Sequence, residues 1–184
     1  MQSLVLDLEN QDIMTRSLLI YSSIFILVSF FLFKGLYYDP KKIQSPLIGK
    51  TFPNFELYDL DNNILINNNN FLSKKTIVNV WASWCLECER EHSYLINLSK
   101  NKEIDLIGIN YKDNPTDAVA WLSMRGNPYR MIIKDQQGDL SLDLGVYGVP
   151  ETYILDENQV ILYKHIGPIN NQIIQKEMMP LLRY

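Results

Sequence analysis

Both cysteines of this 184-residue chain fall in Trp84-Cys85-Leu86-Glu87-Cys88-Glu89, directly after the apolar run 76–82 and at the head of a helical-looking stretch. A strand that meets a helix at a Cys-x-x-Cys turn constrains the fold more than any other feature of the chain, because it places a dithiol at the junction of a βα unit. Cysteines at i and i+3 on the first turn of a helix lie on one side of it, close enough to close a small disulfide ring. The first sulfur also sits where unpaired backbone N–H groups and the positive end of the helix dipole converge, which favours thiolate. Cys85 is therefore expected to be the attacking nucleophile, with Cys88, one turn deeper, as the resolving thiol.

Other uses of the pair fit less well. A closed zinc site needs four ligands, and only His92 and His165 are available besides the thiols. Covalent haem attachment requires histidine directly after the second cysteine, where Glu89 stands. A purely structural disulfide is the serious alternative, but a bridge closing so short a loop removes little chain entropy from the unfolded state. No metal and no cofactor is called for.

The chain is long enough for one domain of ordinary size with its own core. Its hydrophobic content of 47% suits a globular protein, and a formal net charge of −4 without a basic stripe argues against nucleic acid. Residues 17–33 (SLLIYSSIFILVSFFLF) carry no charge and lie between Arg16 and Lys34. At 17 residues this stretch reaches the lower limit of a transmembrane helix. Leu36, Tyr37 and Tyr38 can extend it, with Lys34 snorkelling and the tyrosines at the interface. No small-residue cleavage site follows, so the span reads as an uncleaved anchor rather than a signal peptide. The expected organisation is a short N-terminal segment (1–16), an anchor (17–38), a linker with Pro40 and Pro46 (39–50), and one folded domain (51–184).

Within that domain, residues 55–58 and 64–66 read as a hairpin, and the asparagine run 67–70 as a solvated turn. Strands are expected over 76–82, 104–110, 131–134, 152–155 and 160–164, the last two joined by Asp156-Glu157-Asn158-Gln159. Helices are expected over 87–98, from the Asn114-Pro115 cap through Trp121 and Leu122, and from about Pro168, where Ile169, Ile173 and Met178 would be buried. The fold class is α/β, a mixed central sheet flanked by helices with the Cys-x-x-Cys where strand meets helix.

This order resembles the thioredoxin-like fold. The segments Asn79-Val-Trp-Ala-Ser-Trp-Cys85, Glu91-His92, Gly108-Ile-Asn-Tyr-Lys-Asp113, Gly126-Asn-Pro-Tyr129 and Leu144-Gly-Val-Tyr-Gly-Val-Pro-Glu-Thr152 narrow the likeness. They resemble the membrane-anchored thiol:disulfide interchange proteins of bacterial cytochrome c maturation, the DsbE/CcmG type. The likeness spans about residues 46–184 together with the layout of the anchor.

The resemblance implies a disulfide reductase with a redox-active Cys85–Cys88 pair. Its partners would be apocytochrome c or a haem-ligation protein, and a membrane thiol-disulfide electron transporter. The catalytic domain would lie on the periplasmic side of the inner membrane. Lys34, Lys41, Lys42 and Lys50 after the span argue the opposite orientation by charge alone, although large domains can be exported despite flanking charge. A general extracytoplasmic thiol reductase or oxidase, and a non-enzymatic apocytochrome docking module, are the alternatives.

Residue by residue, Pro150 matches the family's cis-proline facing the cysteines, and Glu91 and Glu151 match two acidic positions around the dithiol. Thioredoxins place a buried aspartate six residues before the first cysteine as proton acceptor, whereas this chain has Asn79 there, so a nearby carboxylate is expected to take the Cys88 proton. Trp84 is expected in the docking surface, Trp81 and Trp121 in the core, and His92 either on the helix surface or in the family's Glu-His pair. Leu86 stands where family members commonly carry proline. Glu87 and Glu89 should oppose the helix dipole and raise the pKa of Cys85.

Overall fold

The computed structural model describes residues 2–36 and 45–182, which belong to two separate units, 1–43 and 44–184. In the first, α1 (Gln2–Leu36) is a single helix. It continues through the segment expected to precede the anchor. Its apolar stretch Arg16–Gly35 is 20 residues long, about 30 Å of helix and enough to cross a bilayer. Ser22 and Ser23 turn their hydroxyls back onto the carbonyls of Leu19 and Ile20, so the apolar stretch leaves neither hydroxyl without a partner. Tyr37 and Tyr38, and residues 39–44 of the linker, lie outside the described residues.

The second unit is built on a five-stranded sheet. β1 (Glu56–Tyr58) and β2 (Leu65–Asn67) form the expected antiparallel hairpin beside it. The main sheet comprises β3 (Thr76–Trp81), β4 (Asp105–Tyr111), β5 (Met131–Asp135), β6 (Glu151–Leu155) and β7 (Ile161–Ile166), in the spatial order β5-β4-β3-β6-β7. β3 pairs in parallel with β4, and β4 with β5, while β6 runs antiparallel to both β3 and β7. Every residue of β3 is buried, which explains why its sequence is apolar apart from Thr76 and Asn79: a central strand covered on both faces has no solvent side to show.

Alternation along β3 splits the core in two. Ile77 and Trp81 face α2 (Leu86–Leu98) and α3 (Pro115–Arg125), which bring Cys85, Cys88, Leu95, Trp121 and Leu122 to that side. Val78 and Val80 face Phe52, Phe55 and Phe71, together with Leu140 and Leu144. The helix α4 (Asp139–Asp143) was not anticipated: it is five residues long and starts from Gly138 at φ 81° without a side-chain cap, so Asp139 in its first turn is a weak start signal.

Two other expectations change. The asparagine run is a turn with Asn69 and Asn70 exposed, as expected, but it is a capped 3₁₀ turn that also has a structural role. Asn68 donates to the Pro53 carbonyl and accepts the Phe55 amide, tying the hairpin to the domain. The end of the linker is likewise bonded to the sheet, Gly49 donating to Ile161 and Ile161 to Lys50. The closing helix α5 (residues 171–182) begins after the cap Asn170, later than expected, so Ile169 is buried ahead of it. Its middle turn, Ile174–Met178, is π-helical, and Ile174 and Met178 are buried where Ile173 is only partly so.

Candidate active site

The turn between β3 and α2 is held by a clamp that sequence reasoning missed. Asp113, buried after β4, accepts the Ser83 amide (2.6 Å) and hydroxyl (2.7 Å), and also the Asn110 side-chain amide (2.8 Å). Trp84 donates its indole N–H to the Lys112 carbonyl (3.2 Å) while its ring stays 60% exposed beside the cysteines. The signal lay in Gly108-Ile-Asn-Tyr-Lys-Asp113, where Asn110 interrupts a buried apolar strand and Asp113 stands just beyond its end.

Cys85 is the N-cap of α2, and its sulfur accepts the Cys88 amide at 3.0 Å. The two sulfurs are joined in a disulfide, with Cα atoms 5.3 Å apart. Both cysteines are buried, Cys88 more completely than Cys85. The acidic first turn differs electrostatically from what its sequence suggests. Glu87 is paired with Arg90 (2.5 Å) and Glu89 with Arg125 (2.8 Å), so the field that these glutamates exert on Cys85 is partly cancelled.

Glu91 lies three residues after Cys88, on the same side of α2 and fully buried. Its carboxyl accepts the Asn79 side-chain amide (2.8 Å) and the Ile169 backbone N–H (2.8 Å). Burial pushes its pKa up to about 7, against the pull of the Ile169 and Asn79 donors. Glu91 is thus a buried acid that titrates near neutrality. Asn79 therefore holds the buried acid from the position that carries the acid in thioredoxins.

Glu151 is also fully buried, but its side chain shares the other face of the sheet with Tyr153. It pairs with the buried Lys164 ammonium (3.0 Å) and accepts the Tyr147 amide (2.8 Å), while the Tyr153 hydroxyl is 2.9 Å from its second oxygen. Lys164 donates in turn to the Gly145 carbonyl (2.7 Å) and lies over the Tyr147 ring. The two glutamates that the sequence grouped around the dithiol are therefore separated by the sheet. Glu151 organises the loop 144–150 instead.

Pro150 follows a cis peptide bond, is buried, and lies one position beyond the Val80–Glu151 pair, beside the end of β3 that leads to Cys85. Trp81 and Trp121 are core residues with rings 5.2 Å apart. His92 is buried against the edge of Trp121, with Nε2 3.0 Å from the Gly126 carbonyl, and burial lowers its pKa. Among the described residues, no three His, Cys, Asp or Glu side chains converge to hold a metal ion.

A cysteine pair at a helix N-terminus, backed by a buried acid, is suited to thiol-disulfide exchange. The Redoxin family matches residues 47–178. The thiol:disulfide interchange protein DsbE of Vibrio cholerae is 45% identical over 144 residues, 78% of each chain. The protein of the same name from Escherichia coli K12 is 44% identical over 145 residues, again 78% of each. This chain belongs to the DsbE/CcmG family of thiol:disulfide interchange proteins. DsbE of Pseudomonas aeruginosa extends the match to 165 residues at 41% identity, covering 89% of this chain and 91% of that one.

Solved structures agree on the thioredoxin-like fold. A DsbF homologue from Corynebacterium diphtheriae superposes with a TM-score of 0.64 at 19% identity, over 76% of this chain and 94% of its own. A thiol-disulfide oxidoreductase from Bacteroides fragilis gives 0.61 at 18%, over 72% and 100%. The chain is a thiol:disulfide oxidoreductase.

Proposed function

We propose that this oxidoreductase works in the reductase direction during cytochrome c maturation. It would keep the haem-binding cysteines of apocytochrome c, or those of a haem-ligation partner, reduced. In this reading α1 is an uncleaved anchor in the bacterial inner membrane, the catalytic domain is periplasmic, and a membrane thiol-disulfide electron transporter restores the dithiol. The observation that carries the chemistry is the Cys85–Cys88 pair at the start of α2, with the buried Glu91 on the same helix side.

The Cys85 thiolate attacks a substrate disulfide, breaking its S–S bond and forming a mixed disulfide; the first substrate sulfur leaves as a thiolate and takes a proton from water. Cys88 then gives its proton to Glu91 and attacks the Cys85 sulfur. The second substrate thiol is released and the internal disulfide closes. Two protein thiols are oxidised as one substrate disulfide is reduced. With a pKa near 7, Glu91 is ionised often enough to accept that proton and protonated often enough to return it when the dithiol is restored.

Trp84 offers an exposed apolar surface beside Cys85, and Pro150 borders the same end of the sheet. Glu151, through Lys164, fixes the loop that leads into Pro150. The test is capture: Cys88→Ser should accumulate a mixed disulfide between Cys85 and a CxxCH peptide or apocytochrome c, because the resolving thiol is gone. Capture only by Cys85→Ser would reverse the thiol roles. Equal capture of many unrelated exported proteins would favour a general reductase.

A further inference from the structure

The side-chain amide of Asn79 sits at the centre of a closed polar cluster under the dithiol. Its Oδ1 accepts the Tyr129 hydroxyl at 2.7 Å, and its Nδ2 donates to Glu91 Oε1 at 2.8 Å and to Thr152 Oγ1 at 3.2 Å. Asn79, Glu91 and Thr152 are fully buried, and Tyr129 nearly so. The phenol ring has little room to move. It stacks on Trp81, and a Cβ at Gly108 would come within 3.1 Å of it, so the absent side chain at Gly108 is what admits the ring. Its backbone is fixed as well, the Tyr129 amide donating to Asn127 Oδ1 at 2.9 Å.

An asparagine amide has two orientations of almost equal shape and opposite polarity. One presents N–H to Glu91, and the other presents a carbonyl oxygen. We infer that Tyr129 is a positioning residue: its hydroxyl holds Asn79 with the N–H toward Glu91 and so sets the acidity of that carboxyl. The inference rests on the proposed role of Glu91 only for its catalytic consequence. If the amide turned over, its N–H would face the phenol oxygen and the buried phenol proton would lose its acceptor, a costly loss in a site without water access. The phenol keeps that proton throughout the working range, because burial, reinforced by the charge of Glu91, raises its pKa well above the usual value.

The lock favours the carboxylate. With Asn79 fixed as a donor, ionised Glu91 receives two N–H groups, whereas protonated Glu91 would turn its O–H toward one of them. Removing the phenol hydroxyl frees the amide to rotate and accept from the protonated acid, which raises the pKa of Glu91. With Cys88 held in the disulfide, the other titratable groups around this cluster are His92 on α2, His165 and Tyr163 on β7, and Glu177 on α5, which takes the Tyr163 hydroxyl at 2.6 Å. None of them is altered by a change at Tyr129.

The experiment uses the full chain in detergent micelles, oxidised, with glutamate labelled by ¹³C at the carboxyl and the Glu91 signal assigned by its loss in Glu91→Gln. Tyr129→Phe should move the Glu91 titration midpoint upward by about one pH unit, a tenfold change in proton affinity. Para-fluorophenylalanine at position 129, which fills the hydroxyl's volume but donates nothing, should do the same and covers the case in which the phenylalanine variant does not fold. A midpoint that stays in place or falls overturns the lock. The pH profile for resolution of the mixed disulfide is read alongside. If it follows the carboxyl midpoint, both the lock and the acceptor role of Glu91 stand. If the midpoint moves and the profile does not, the lock stands and Glu91 is not the acceptor.

Discussion

Glu91 and Glu151 are the same residue type, equally buried and both close to the active-site end of the sheet, yet their surroundings give them opposite tasks. Glu91, on the α2 face, meets only neutral donors, the amides of Asn79 and Ile169, and titrates near 7. Glu151, on the α4 face, meets the Lys164 ammonium at 3.0 Å. A buried carboxyl without a cation exchanges protons near neutrality, whereas one with a cation becomes a fixed anchor for the groups around it. What separates proton chemistry from loop architecture here is the alternation of one strand, which sends residue 151 away from the cysteines and residue 152 toward them.

The largest effect in this comparison is expected at the anchored glutamate. Lys164→Met leaves a buried carboxylate without its partner, and should cost about 3–5 kcal/mol in urea unfolding of the full chain in micelles. Changing both members, Glu151→Gln with Lys164→Met, should recover much of that loss. A single variant as stable as wild type would show that Glu151 does not depend on Lys164, and the contrast with Glu91 would collapse.

The next effect concerns pH. The folded-state pKa of Glu91 is raised from 4.5 to about 7, so its contribution to stability is complete below about pH 4.5 and is lost as pH rises through about 7. The full swing is roughly 3 kcal/mol. Unfolding midpoints of oxidised wild type should fall across that window, and Glu91→Gln should remove this component. Glu151→Gln should leave it. A slope unchanged in Glu91→Gln would mean that the carboxyl does not titrate there.

The smallest effect is expected at the surface. Glu87→Gln breaks an exposed pair with Arg90 and should change stability by about 0.5 kcal/mol or less. A loss comparable to that of Lys164→Met would show that burial does not distinguish these ion pairs.

Much of this arrangement was legible in the sequence because its signals are local. The Cys-x-x-Cys after a β-branched run, the Asn114-Pro115 cap and the hairpin at 156–159 each announce themselves within a few residues, and the structure has them in place. The burial of Glu91 was not legible. It depends on Ile169, 78 positions away, and on Asn79 from a neighbouring strand. The turning of Glu151 onto the opposite face depends on where β6 begins, and the sequence reading started that strand at residue 152 rather than 151. The Ser83–Asp113 clamp and the Tyr129–Asn79 bond likewise join residues 30 and 50 apart. Pairing across such separations follows from the assembled sheet rather than from local pattern.

The most direct test of the division between the two glutamates is the rate at which a preformed Cys85–peptide mixed disulfide resolves, measured by stopped flow from pH 5 to 9. Wild type should show an inflection near pH 7 that Glu91→Gln abolishes and Glu151→Gln retains. Superimposable profiles for wild type and Glu91→Gln, or an inflection lost only in Glu151→Gln, would contradict it.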